Sequence, residues 1–150
     1  LKENAINYLK ETLIPKSYII TPNTLEAEKI LNCKIRNINE MLDCRNKFSD
    51  FNIKRVLLKG GHILDGEKTI TNILFNNGKT DKFLSQRIKT NNTHGTGCSL
   101  ASAITANLFL GKSLKKSIKL SIDYVHYGIK NSFLIGKGHN PINHFANFKS

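Results

Sequence analysis

The sequence predicts an α/β fold with a largely parallel sheet, and three observations support that prediction. Stretches with helical periodicity alternate with short apolar runs of the kind that form buried strands. The apolar run at residues 55–59 stops abruptly at Gly60-Gly61, as buried parallel strands do at their carboxyl ends. An Asn-Gly pair at residues 77–78, between two strand-like runs, predicts one hairpin.

Each element follows from its local pattern. Apolar residues at helical spacing predict a first helix up to Leu13, which Pro15 ends before a short β-rich strand at residues 18–20. Further helices are predicted at residues 25–31, 38–48, 98–110 and 113–129, and further strands at residues 55–59, 69–75 and 80–87. No repeat, low-complexity segment or linker interrupts them, so the 150 residues are predicted to be one domain or part of one.

The chain is strongly basic, with 23 Lys and Arg against 11 Asp and Glu and a formal net charge of +12. Such an excess suits a polyanionic partner. However, the lysines are scattered among Asn and Ile, without a basic run or a recognisable nucleic-acid-binding module. We therefore expect a compositional bias and no nucleic-acid partner. A non-catalytic fragment that binds anions or nucleic acid stays open as the alternative from another class.

The three cysteines, Cys33, Cys44 and Cys98, are an odd number at wide spacing and predict neither a disulfide framework nor a metal site. Cys33 and Cys44 match no motif and are expected to be structural. No apolar run approaches the ~20 residues of a membrane span, and the first residues lack a signal-peptide core. We expect a cytoplasmic protein without a membrane partner, and the absence of an initiator Met predicts that the chain was cut from a longer one.

Residues 90–98, with the sequence Thr-Asn-Asn-Thr-His-Gly-Thr-Gly-Cys, form the most informative segment. Gly95 and Gly97 lack a Cβ, so the backbone can turn its N–H groups toward an anion, and a helix that starts here adds unpaired donors. Cys98 falls in the first turn, where the helix dipole favours a thiolate. The segment predicts a phosphate cradle with a nucleophile or base attached. A glycine-rich helix start required by packing, with Cys98 as a small core residue, is the open alternative.

Two other segments follow predicted strands in the same way. Asn23 and Glu26 follow the first strand, and residues 59–62 follow the second. Because ligands of open α/β sheets bind beyond the carboxyl ends of the strands, we expect all three segments to share one site. Lys59 is either a phosphate ligand or an ordinary strand-end lysine, and Glu26 is either a metal ligand or a carboxylate at a helix N-terminus.

These segments, with a fourth near the end of the chain, resemble the hydroxymethylpyrimidine and phosphomethylpyrimidine kinases of the ribokinase-like superfamily. The residues that carry the resemblance are Ile20-Thr21-Pro22-Asn23 with Glu26-Ala27, Leu58-Lys59-Gly60-Gly61-His62, residues 92–98, and Gly136-Lys137-Gly138-His139 with Pro141 and Asn143-His144-Phe145. The resemblance implies a three-layer α/β/α fold with a largely parallel sheet. It implies phosphoryl transfer from ATP, with Mg²⁺, to 4-amino-5-hydroxymethyl-2-methylpyrimidine and then to its monophosphate.

The resemblance also implies roles for individual residues. Cys98 stands in the place of the catalytic base, and the catalytic anion hole would be formed by Gly95, Thr96 and Gly97 with Cys98. The implied nucleotide-binding residues are Asn23, Lys59, Gly60 and Thr96. Glu26 would position Mg²⁺. His62 and His94 are expected to brace their loops.

The chain departs from the family pattern at its amino end. It lacks the glycine-rich opening strand and the Asp-Pro-Val segment, so residues 1–150 resemble the C-terminal part of a single kinase domain. Acceptor specificity and a homo-oligomeric state of the full-length enzyme therefore stay open, with a pyridoxal kinase as the nearest alternative. We expect an unpaired strand edge, and a fragment that is poorly stable and poorly active alone. Asn140 stands where glycine is usual and is expected to relax its loop slightly.

Overall fold

The computed structural model describes residues 3–63, 68–136 and 138–146. Its helices are Glu3–Tyr8 (α1), Thr24–Leu31 (α2), Ile38–Ser49 (α3), Thr96–Phe109 (α4) and Leu114–Lys130 (α5), and its strands are Arg55–Leu58 (β1), Thr69–Asn76 (β2) and Lys79–Gln86 (β3). The predicted α/β class is confirmed. The chain divides into two compact units, Leu1–Leu84 and Ser85–Ser150.

The helices begin and end close to the predicted residues. The first predicted helix is α1 followed by a π-helical segment, Leu9–Leu13, which ends with a hydrogen bond from the Ile14 N–H to the Leu9 carbonyl at 2.9 Å. Asn23 and Asn37 cap the N-termini of α2 and α3, because an Asn side chain can accept an otherwise unpaired first-turn N–H. The π-helical turn had no signal in the local pattern.

The three strands form one sheet in the order β1-β2-β3. β1 pairs with β2 antiparallel, in a register that places Arg55 opposite Asn76 and Leu58 opposite Ile73. Between β2 and β3 the backbone of Asn77 and Gly78 has φ of 46° and 78°, the left-handed conformation that an Asn-Gly hairpin turn requires. The hairpin predicted from this pair is present.

In the first unit, parallel pairing among the described residues is confined to two isolated bridges, Ile20 with Val56 and Asn23 with Lys59, and a third parallel bridge, His94 with Pro141, lies in the second unit. The expectation of a largely parallel sheet is therefore wrong for the named strands, because a hairpin returns the chain antiparallel. The predicted strand at residues 18–20 is reduced to its last residue. Pro22 lies between the two bridges and has no N–H to extend the ladder.

The segment beside β1 has an open edge. The Ile20 N–H donates to the Arg55 carbonyl at 3.2 Å, and the Ile20 carbonyl accepts from the Leu57 N–H at 2.9 Å. Ile19 and Thr21 alternate with Ile20, and neither has a hydrogen-bond partner within the described part of the chain. The expected unpaired edge is present here.

The core of the first unit lies between the sheet and α2 and α3. Three consecutive residues of β1 and five of β2 are buried, a near-continuous burial typical of a strand covered on both faces. Phe48 of α3 packs against Phe75 of β2, with ring centroids 6.4 Å apart. This packing fixes β1 and therefore the position of the residues that follow it.

The second unit contains the packed helix pair α4 and α5. α4 buries Leu100 and Ile104, and α5 buries Ile118, Ile122 and Val125 on one face. The chain that follows α5 returns against it, since the Asn143 N–H donates to the Gly128 carbonyl at 3.0 Å. Among the described residues, no helix is long and apolar enough to cross a membrane.

Candidate functional site

The start of α4 is a left-handed turn at glycine. Gly95 is the N-cap residue with φ of 83°, and the first helical residue is Thr96. The helix was predicted to begin at Cys98, two residues too late, because the apolar pattern begins after the glycine pair. Without a Cβ, Gly95 adopts the positive φ at little cost. The predicted cradle is therefore a glycine-capped helix N-terminus.

Backbone donors at this N-terminus have no partner among the described residues. The Gly95 carbonyl accepts from both the Ser99 N–H at 2.9 Å and the Ser99 hydroxyl at 2.8 Å, which fixes the first turn. In the part of the chain that the structure describes, no side chain caps the helix. Within the described residues, no atom accepts a hydrogen bond from the N–H of Gly97 or Cys98. Unpaired first-turn amides and the helix dipole together favour a bound anion.

The Cys98 thiol is exposed. The alternative that made it a small core residue is therefore wrong at this position. Cys44 is the buried cysteine, and Cys33 is half-buried beside the same core. A nucleophile or base at residue 98 is within reach of a ligand.

Selective alkylation tests this difference between the cysteines. Burial, followed by the adjacent Cys33, raises the pKa of the Cys44 thiol to about 12 from an ordinary 9.0. Near neutral pH we expect iodoacetamide to modify Cys98 first, Cys33 more slowly, and Cys44 only after unfolding. Because the folded pKa is raised, protonated Cys44 favours the folded state, and this contribution is lost as the pH rises from 9.0 toward about 12. Peptide mass spectrometry measures the order, and early modification of Cys44 in the folded protein would contradict it.

A loop near the chain end holds the segment before α4. His94 and Pro141 form a parallel bridge, with the His94 N–H donating to the Asn140 carbonyl at 3.2 Å. The Asn92 side chain donates to the Ser132 hydroxyl at 3.1 Å. His94 thus braces its loop through its backbone. The sequence linked these two segments through the family motifs but gave no signal of the contact between them.

The expectation that Asn140 relaxes its loop is wrong. Its side chain is buried, with 5% of its surface exposed. The side-chain oxygen accepts from the N–H groups of Ile135 at 2.9 Å and Gly136 at 3.0 Å. The side-chain nitrogen donates to the carbonyls of Gly136 at 3.4 Å and Gly138 at 3.1 Å. Asn140 orders the loop that contacts His94.

In the first unit, Asn23 and Glu26 form a capping box at the start of α2. The Asn23 side-chain oxygen accepts from the Glu26 N–H at 2.8 Å, and the Glu26 carboxylate accepts from the Asn23 N–H at 2.7 Å. This is the helix-terminus role left open for Glu26. The carboxylate is nevertheless exposed, and it lines a cavity of about 340 Å³ together with Thr21, Pro22 and Lys29 among others.

Lys59 and Gly60 lie next to Asn23. The Lys59 N–H donates to the Pro22 carbonyl at 2.9 Å, which brings Lys59 opposite Asn23. Gly60 is buried, and its N–H donates to the side-chain oxygen of Asn72 at 3.2 Å. Because this N–H already donates to Asn72, this hydrogen bond argues against a nucleotide contact through the Gly60 N–H. The nucleotide-binding role of Gly60 stays a prediction. His62 is exposed.

Metal-binding capacity in the described residues is limited. No group of three or more His, Cys, Asp or Glu side chains is arranged there to hold a metal ion. Glu26 therefore offers one carboxylate. Mg²⁺ is commonly held in this way, by one or two carboxylates, substrate phosphates and retained water.

A pair of cap variants separates the two roles of Asn23. Asn23→Ala removes the α2 cap and is expected to lower the free energy of unfolding by about 1 kcal/mol, measured by urea denaturation. Asn37→Ala removes the equivalent cap of α3, where Asn37 accepts from the Glu40 N–H at 2.9 Å, and should cost about the same. If Asn23 also contacts nucleotide, only Asn23→Ala raises the KM for ATP in the complete protein. Equal KM values in the two variants would leave Asn23 as a helix cap alone.

The fold matches solved structures of small-molecule kinases. A pyridoxal kinase from Staphylococcus aureus in complex with AMP-PCP and pyridoxal superposes with a TM-score of 0.91 at 25% identity, over 99% of this chain and 55% of that one. A phosphomethylpyrimidine kinase from Clostridium difficile has a TM-score of 0.69 at 38% identity, over 83% of this chain and 48% of that one. The fold and the glycine-capped helix therefore define a ribokinase-like kinase fold.

The sequence comparison gives the family. Residues 1–143 match the phosphomethylpyrimidine kinase family model, and the chain belongs to that family. It is 38% identical to the thiamine biosynthesis bifunctional protein ThiED of Geobacter sulfurreducens, over 96% of this chain and 29% of that protein. It is 35% identical to the hydroxymethylpyrimidine/phosphomethylpyrimidine kinase of Bacillus subtilis, over 97% of this chain and 54% of that protein. The chain thus spans about half the length of the single-function kinases that it matches.

Proposed function

We propose that the complete protein containing this chain is an ATP-dependent hydroxymethylpyrimidine/phosphomethylpyrimidine kinase that acts in the cytoplasm. It phosphorylates 4-amino-5-hydroxymethyl-2-methylpyrimidine and then its monophosphate, for thiamine biosynthesis. The observation that carries the proposal is the exposed Cys98 thiol at the start of α4, beside the amides of Gly97 and Cys98, which have no partner among the described residues. Family membership over residues 1–143 supports the same assignment.

The first phosphoryl transfer needs a base and hydrogen-bond donors that bind the phosphoryl oxygens. The hydroxymethyl oxygen attacks the γ-phosphorus of ATP, the bond from that phosphorus to the bridging oxygen breaks so that ADP leaves, and the hydroxyl proton passes to the Cys98 sulfur, which acts as base in its thiolate form. The Gly97 and Cys98 amides donate to the transferring phosphoryl oxygens, where a preorganised donor lowers the barrier by about 3 kcal/mol. Thr96, in the same turn, contacts the nucleotide.

We propose further roles for residues of the first unit. The Lys59 ammonium binds phosphate oxygens of ATP, and Asn23 lies opposite it. Glu26 would hold Mg²⁺, which would neutralise phosphate charge. Glu26 keeps its capping hydrogen bond to Asn23 in this role, so its orientation is set before the metal arrives.

Direct assay tests the proposal. The complete protein is incubated with ATP, Mg²⁺ and the aminopyrimidine alcohol, and mass spectrometry follows the monophosphate and the diphosphate. We expect both products in sequence. Absence of the monophosphate, with the folded protein present, would contradict the proposal.

Pyridoxal kinase is the second candidate, favoured by one observation. The Staphylococcus aureus structure, a pyridoxal kinase in complex with AMP-PCP and pyridoxal, has a higher TM-score with this chain than the Clostridium difficile pyrimidine kinase has, although its sequence identity is lower. The same assay with pyridoxal separates the two, because only the pyrimidine kinase adds a second phosphate. A single phosphorylation of pyridoxal, with no pyrimidine diphosphate formed, would favour this candidate.

A further inference from the structure

The side chain of Asn140 uses all of its hydrogen-bonding capacity on its own loop. A primary amide offers two acceptor sites and two donors. Both acceptor sites are taken by the N–H groups of Ile135 and Gly136, and both donors reach the carbonyls of Gly136 and Gly138. A buried amide with every site satisfied fixes the backbone around it, because any other loop shape leaves a buried polar group unpaired.

The backbone of the same residue reaches the candidate cradle. The Asn140 carbonyl accepts from the N–H of His94, and the next residue, Pro141, pairs with His94 in the parallel bridge. His94 directly precedes Gly95, the N-cap of α4. Among the described residues, no side chain caps α4. The position of the left-handed turn at Gly95 therefore depends on what holds His94.

The other contacts between these two segments involve more accessible groups. The His139 ring nitrogen lies 3.3 Å from the Asn91 carbonyl, and both residues are exposed. The bond from Asn92 to Ser132 is only partly buried. Exposed hydrogen bonds compete with water and constrain less than buried ones. Asn140 is buried, whereas the residues that make these other contacts are exposed or partly exposed.

We propose that Asn140 is a positioning residue for the anion-binding start of α4. Its side chain closes residues 135–136 and 138–140 into one fixed loop, and that loop presents the Asn140 carbonyl to His94. Through His94 it sets where Gly95 turns, and hence where the Gly97 and Cys98 amides lie. The inference rests on the proposed function only for its catalytic consequence, because the structural coupling can be measured without any substrate.

Amide hydrogen exchange on the complete protein tests the coupling. Asn140→Ala removes the acceptor of the Ile135 and Gly136 amides but leaves the acceptor of the His94 amide, which is backbone. We expect exchange at all three amides to rise about tenfold or more, the equivalent of one lost hydrogen bond. The matched control is Asn131→Ala, an exposed Asn at the end of α5 whose side chain donates to the Tyr127 carbonyl, and it should leave His94 unchanged. Faster exchange at Ile135 and Gly136 with an unchanged His94 amide would overturn the inference.

A second variant keeps the test decisive if Asn140→Ala folds poorly. Asn140→Asp keeps acceptor oxygens for Ile135 and Gly136 but loses both donors, and it faces two carbonyls with a carboxylate oxygen. The His94 amide is again expected to exchange faster than in the parent. An unchanged rate in this variant would also overturn the inference.

Kinetics separate failure of the inference from failure of the proposed function. A misplaced cradle should lower kcat for the first phosphorylation about 10- to 100-fold with little change in the KM for the pyrimidine. If Cys98→Ala abolishes activity and Asn140→Ala keeps full kcat, the inference is wrong and the proposed function stands. If both variants keep full activity, the inference and the role of Cys98 as the base are both wrong, while the kinase activity itself stands.

Discussion

Replacement of Cys98 by Ala in the complete protein is expected to lower kcat for phosphorylation of the aminopyrimidine alcohol about 100- to 10,000-fold, the range lost with a general base. The thiol is exposed in the first turn of α4, beside two amides with no partner in the described residues. The substrate KM should change little, because the proton leaves the alcohol only in the transition state. Initial-rate assays with saturating ATP measure both constants.

The two phosphorylations should respond differently to this change. The first acceptor is an alcohol, which must lose its proton as it attacks. The second acceptor is a phosphate monoester, whose oxygens are already largely ionised near neutral pH because its second pKa is about 6. Cys98→Ala is therefore expected to slow the first step far more than the second, which is assayed by supplying the monophosphate directly. An equal loss in both steps would assign Cys98 to shaping the anion site and would contradict its role as a base.

Cys33→Ser is the matched control for the loss of a thiol. Cys33 is half-buried beside the core of the first unit, and no motif includes it. We expect its kcat to equal that of the parent. Tight nucleic-acid binding with a steep salt dependence that survives Cys98→Ser, in a protein without kinase activity, would instead favour a non-catalytic anion- or nucleic-acid-binding domain.

The elements that the sequence predicted well are those encoded locally. The Asn77-Gly78 hairpin needs only two residues that accept a positive φ, and both have it. The starts of α2 and α3 follow from Asn23 and Asn37, whose side chains accept from residues three positions on. Such contacts span a few residues and leave a pattern in the sequence.

The features that the sequence missed depend on partners distant in the chain. Residues 18–20 have strand composition, but their pairing partner is Val56, and only Ile20 meets it. Asn140 was expected to relax its loop. The local sequence could not predict its four side-chain hydrogen bonds, because they form only in the loop's final shape. The exposure of Cys98 was left open for the same reason, since burial is decided by what packs nearby.

The environment of Gly60 also depends on a distant part of the chain. Its replacement gives the largest loss of stability that we expect. The family resemblance implied a nucleotide-binding role for it, whereas a Cβ at Gly60 would lie 2.1 Å from the Thr71 carbonyl oxygen and 3.3 Å from the Met41 methyl carbon. The first separation is shorter than any real contact, and the obstacle is backbone of β2. Close approach of two backbones is therefore the reason for glycine at this position.

Gly60→Ala is expected to lower the free energy of unfolding by about 3 kcal/mol, at the upper end for an overpacked core, and to reduce the soluble yield. The loss arises because β2 must move away from Gly60, which also strains the bond from the Gly60 N–H to Asn72. The control is Gly61→Ala, where an added Cβ meets no atom within 4 Å and should change stability by less than about 0.5 kcal/mol. Urea denaturation of the complete protein compares the two. Equal stability of both variants would show that β2 can move away from residue 60 without lowering the free energy of unfolding. Nucleotide binding would then be the better explanation for glycine at this position.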